Sequence, residues 1–143
     1  MSWFNYIGLI VISVIMIPNI IYAIKNKGGF PNSCGNKAAE LFEQIGRYGC
    51  IAFTVFNIPF TCFGFWFDKA MLVYAIVNSV LCAIYLACWA IFRKNTVEKA
   101  ILLSAIPSCV FLFGGIMLLS IPLIVFATLF APCHILVSCK NVC

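Results

Sequence analysis

The groups able to do chemistry are few and widely spaced in this 143-residue chain: one histidine, four carboxylates and nine cysteines. His134 lies inside an apolar run, where it is the only ionisable side chain besides cysteine and tyrosine. Charge at membrane depth is expensive, so an ionisable group there marks a functional position by default. Lys140 follows six residues later, so the ring also fits an interfacial or hydrogen-bonded packing position. A proton or metal role and a packing role both stand for it. Glu40, Glu43, Asp68 and Glu98 are expected at helix ends or in loops, solvated or interfacial.

No sequence motif joins these groups into a catalytic set. The chain contains no His-Glu-x-x-His helix, no Gly-x-Ser-x-Gly turn and no phosphate-binding loop. A single histidine cannot supply two axial haem ligands. No Cys-x-x-Cys occurs, which removes the dithiol redox pattern and the usual zinc spacing. Cys50, Cys62, Cys82, Cys88, Cys109 and Cys133 fall inside apolar runs and read as thiols acting as small hydrophobes. No catalytic residue, metal site or cofactor is assigned from the sequence.

Amides form the second set of candidates. Asn19, Asn57 and Asn78 fall in three different apolar runs, and in lipid such groups seek partners across helices. Asn19 adjoins Pro18 and Asn57 precedes Pro59 by two; a proline within a helix frees a carbonyl that a neighbour can satisfy. The amides serve as glue between helices or line a path. Pro18, Pro59, Pro107 and Pro132 each sit within an expected span. Ala75, Ser79, Ala83 and Ala87 recur every four residues, a small-residue stripe that lets another helix approach closely, while Leu72, Ile76, Val80 and Ile84 are bulky. That spacing makes its helix the expected central packing helix.

What positions these residues is a membrane. The sequence is 64% hydrophobic and 9% charged with a mean hydropathy of +1.11, against roughly 25% charged residues in a soluble domain. The expected fold is therefore an all-α integral membrane protein, one domain over residues 1–143. A crossing needs about 20 apolar residues. Runs at 3–24, 48–67 and 70–92 meet that length, and the uncharged stretch 100–139 is long enough for two spans, 100–117 and 121–139, with a turn near Gly114, Gly115 and Pro122. Five transmembrane helices result, with four as the alternative.

Between the first two spans lies a cytoplasmic loop, 25–47, that opens with the turn-rich Asn26-Lys27-Gly28-Gly29-Phe30-Pro31-Asn32-Ser33. Its second half looks helical: Ala38, Leu41, Phe42 and Ile45 share a face, Glu43 and Arg47 are four apart, and Asn36 can cap. The piece either lies on the membrane surface or extends the second span. Five spans put Lys25, Lys27, Lys37, Arg47, Arg93, Lys94, Lys99 and Lys140 on one side and Lys69 on the other. Cytoplasmic loops retain basic residues, so the N-terminus is expected outside and the C-terminus in the cytoplasm. A bacterial plasma membrane is expected from compositional style. Trp3, Phe4, Tyr6, Phe65, Trp66, Phe67, Trp89 and Phe92 fall where interfacial aromatic belts form.

The net charge of +5 belongs to topology rather than to nucleic acid, since the basic residues never form a patch. The expected partners are the lipid bilayer and either a second copy or another membrane protein. The leading functional expectation is a non-enzymatic accessory, regulatory or immunity-type protein that acts through helix packing. The alternatives are a small homo-oligomeric transporter or channel, and a membrane enzyme using His134 on a lipid-like substrate.

Overall fold

A computed structural model describes residues 3–26 and 35–142 of the chain. Lys27 and the rest of the turn-rich run at 27–33 lie outside the described residues. The protein is all-helical: α1 (Tyr6–Lys25), α2 (Lys37–Val55), α3 (Ala70–Ile91), α4 (Val97–Met117) and α5 (Ile121–Val142). Four of these helices, α1, α3, α4 and α5, are long and apolar enough to cross a membrane. The fold is a helical membrane bundle.

α2 is the exception, because Lys37, Glu40, Glu43 and Arg47 all fall in its first three turns. It is one continuous helix from Lys37, capped by the side chain of Asn36, which accepts from the Ala39 N–H at 3.3 Å. Its end differs from the run expected at 48–67. Pro59 has no N–H and its ring excludes the carbonyl four residues back, so the helix stops at Val55 and residues 56–69 turn back as a loop. The loop is pinned by hydrogen bonds from Gly64 N to Leu118 O (2.9 Å) and from Ile121 N to Thr61 O (3.0 Å). Gly64, at φ 87°, takes the left-handed backbone that this turn requires. Pro59 therefore lies outside the helices, whereas Pro18, Pro107 and Pro132 lie within them.

The helices close into a ring in the order α1, α2, α5, α4, α3. Asn5 N donates to Val55 O at 2.8 Å, so α1 and α2 run antiparallel, and α2 extends alongside the others for about 28 Å at 1.5 Å per residue. The α2–α5 seam is the tightest. A Cβ at Gly46 would lie 2.8 Å from that of Phe130, and one at Gly49 would meet the Phe126 ring. Ile12, Cys50, Phe111, Leu123, Ala127 and Phe130 fill the core beside that seam. The seven cysteines from Cys50 to Cys139 are all free thiols.

The small-residue stripe does not face the bundle. Ser79, Ala83 and Ala87 are exposed and Ala75 is half-buried, as the bulky Leu72, Ile76, Val80 and Ile84 are also exposed. α3 instead buries Tyr74, Asn78, Cys82, Tyr85 and Cys88. The reason is the hydroxyls: Tyr74 accepts from Asn5 Nδ2 at 3.3 Å and Tyr85 from Asn19 Nδ2 at 2.9 Å, partners that lipid cannot offer. The expectation that α3 is the central packing helix of the bundle is corrected. α5 and α2, not α3, make the closest helix contact.

Candidate functional site

The amphipathic half of α2 is turned inside out. Leu41, Phe42 and Ile45, its apolar face, are exposed, while Ala39, Glu43, Gly46 and Cys50 form the buried face at spacings of four, three and four. Small residues on that face bring α5 close, and the side chain of Glu43 is enclosed between the two helices. On α5 the buried stripe Leu123, Ala127 and Phe130 continues one turn further to His134. The two stripes meet, and His134 Nδ1 lies 2.9 Å from Glu43 Oε1.

Arg47, one turn along α2, completes the cluster. Its Nε donates to the same Oε1 at 3.1 Å, and its Nη2 also contacts that oxygen. The Glu43 side chain is 4% exposed, that of His134 20% and that of Arg47 43%. A guanidinium is always charged and holds its partner as the carboxylate, an acceptor only. The hydrogen between Glu43 and His134 therefore sits on Nδ1, so the imidazole donates to the carboxylate. The ring is further held by stacking on Phe130, centroids 4.5 Å apart. The expectation that Glu43 is solvated or interfacial is thus overturned by its burial.

These groups form part of the wall of a cavity of about 530 Å³ at the end of the ring that carries Lys25, Lys37, Arg93, Lys94 and Lys140. Asn19, Tyr85, Trp89, Lys99 and Ser104 contribute the facing walls. Deeper in the ring the lining is apolar: Ile12, Ile15, Leu103 and Phe111. A volume in the range of roughly 300–1,000 Å³, mostly apolar with a few convergent polar groups, is the usual form of a small-molecule site.

Lys99 is the cavity's least compensated charge. The residue is 6% exposed and stands in the first turn of α4, where the helix dipole disfavours a cation. Its Nζ lies 4.5 Å over the Trp89 ring and 3.5 Å from Asn95 Oδ1, and among the described residues no carboxylate comes within 4.0 Å. A cation–π contact is worth about 0.5–2 kcal/mol, less than the several kcal/mol that burying an ion costs. On α2, Glu40 Oε1 is wholly buried without a hydrogen-bond partner.

Of the four polar candidates His134, Asn19, Asn57 and Asn78, the structure brings two to the cavity, His134 and Asn19. Asn57 lies in the loop after α2 rather than mid-span, its carbonyl accepting from Cys62 Sγ at 3.6 Å and its backbone N–H bonding Trp3 O at 2.8 Å. Asn78 is fully buried on α3, donates to Tyr74 O at 2.8 Å and leaves Oδ1 unpaired. The three amides do not form one track. Glu40, Glu43, Arg47 and Lys99 were expected as solvated, interfacial or topological charges and not as residues of a site. The signal for Glu43 was its place in the small-residue row Ala39, Gly46, Cys50. Lys99 carried none.

Fold and site together define a class: a helical membrane bundle with a cavity lined by one chain and carrying acidic and basic side chains in its wall. No protein-family model matches the chain, and neither does any curated protein or solved structure.

Proposed function

We propose that this chain is a small membrane carrier whose ring of helices holds a solute in the cavity at its basic end. The observation that carries this reading is the placement of Glu43, His134 and Lys99, largely or wholly buried, in the wall of one cavity. Ionisable groups at such depth cluster on substrate and ion pathways and on proton relays. The ring encloses this space within one chain, so a carrier needs no second copy to form its site. Eight of nine basic residues on one side favour a cavity that opens to the cytoplasm, with the N-terminus outside. A bacterial plasma membrane fits the composition.

Proteoliposomes loaded with isotope-labelled small metabolites test this. Wild-type vesicles lose a defined subset, and vesicles carrying Ser104→Trp, which fills the cavity from α4, retain it. Equal retention by both would remove the carrier reading.

A second reading is favoured by the outward stripe on α3. Exposed Ser79, Ala83 and Ala87 offer lipid-side packing for another membrane helix, as an accessory, regulatory or immunity-type protein would use. Cross-linking from Ala83→Cys to a distinct membrane protein, with no solute efflux, would establish it instead.

A further inference from the structure

Resting on the carrier reading, we infer that the solute is a zwitterion with an apolar portion, its anionic group held by Lys99 and its ammonium by Glu40. Besides His134, four acidic or basic side chains line the cavity: Glu40, Glu43, Arg47 and Lys99. Glu43 and Arg47 neutralise one another. The remaining two, on α2 and α4, belong to opposite signs and to different walls, yet neither takes part in an ion pair among the described residues.

A purely anionic solute would satisfy Lys99 and leave the Glu40 carboxylate on the other wall unmatched; a purely cationic one would do the reverse. One molecule carrying both charges compensates both walls and keeps the lining neutral. Its anion meets an additional attraction at α4, whose amino end carries Lys99 in the first turn. The apolar portion then occupies the floor formed by Ile12, Ile15, Leu103 and Phe111, one end wet and the other dry. An α-amino acid with an aliphatic side chain has this chemistry, and so does an aminophospholipid headgroup with its acyl chains.

The test uses the full chain in nanodiscs of phosphatidylglycerol, which contain no zwitterionic lipid. In one arm binding of L-leucine is compared with isopentylamine, which lacks the carboxylate, and 4-methylpentanoate, which lacks the ammonium. In the other, phosphatidylethanolamine is compared with its N-acetyl derivative. The expected result is at least a tenfold preference for the zwitterion in one arm, and that arm identifies the source as a free solute or a lipid. Lys99→Gln and Glu40→Gln, each with an unchanged melting temperature, reduce the preference below threefold. Single-charge analogues that bind as well as the zwitterion would overturn the inference. If no probe binds while labelled metabolites still leave wild-type proteoliposomes, the inference fails and the carrier reading stands. Absence of both binding and efflux removes the two together.

Discussion

His134 Nδ1 and Glu43 Oε1 meet at 2.9 Å across a sequence separation of 91 residues, and this contact ties the buried faces of α5 and α2 together at the cavity wall. Removing one partner of an enclosed charged pair leaves the other unmatched, at roughly 3–5 kcal/mol for a fully buried case. The His134 ring retains some exposure, so His134→Ala is expected to destabilise the protein by about 2 kcal/mol. Glu43→Gln should cost a similar amount. The double variant should cost less than the sum, because each change removes the same contact. Thermal unfolding in detergent of the four proteins measures the coupling. Strict additivity would contradict the contact.

Close approach of α2 and α5 depends on two glycines. A Cβ at Gly46 falls 2.8 Å from Phe130 Cβ, which a backbone-proximal atom cannot relieve by changing rotamer. Gly46→Ala and Gly49→Ala are each expected to cost about 1–3 kcal/mol, the usual penalty for overpacking. Ala83→Leu, on the exposed face of α3, should stay within about 0.5 kcal/mol. The same unfolding assay compares them, and a destabilising Ala83→Leu beside neutral glycine variants would reverse the packing described.

How much of this was legible in the sequence follows from what each signal encodes. Long uncharged runs need only one property, exclusion of water, so the apolar character of α1, α3, α4 and α5 could be read directly. α2 combined two conflicting patterns. Its apolar residues recur at helical spacing, which in a soluble protein marks the buried face; in lipid the same spacing marks the outside, and the carboxylate goes in. Reading this segment as a surface-lying piece or an extension of the second span therefore left Glu43 out of the site. The stripe on α3 misled for a related reason: small residues permit a close neighbour without requiring one, whereas Tyr74 and Tyr85 require hydrogen-bond partners. His134 was visible because it is alone, but its partner lies on another helix and no local spacing points to it.

Orientation has a direct readout. A cytoplasm-active fluorescent reporter fused after Cys143 is expected to be bright, and an outside-active phosphatase fused at the same place inactive. The opposite pair of results would place the cavity mouth on the outer face.

The central claim, that the cavity beside Glu43 and His134 holds a solute, is tested most directly by native mass spectrometry of the chain released from gentle detergent or nanodiscs. Wild-type protein is expected to carry one small molecule per chain, and Ser104→Trp, at the same melting temperature, to fly without it. Identical masses for the two, each after subtraction of its own polypeptide, would contradict the account.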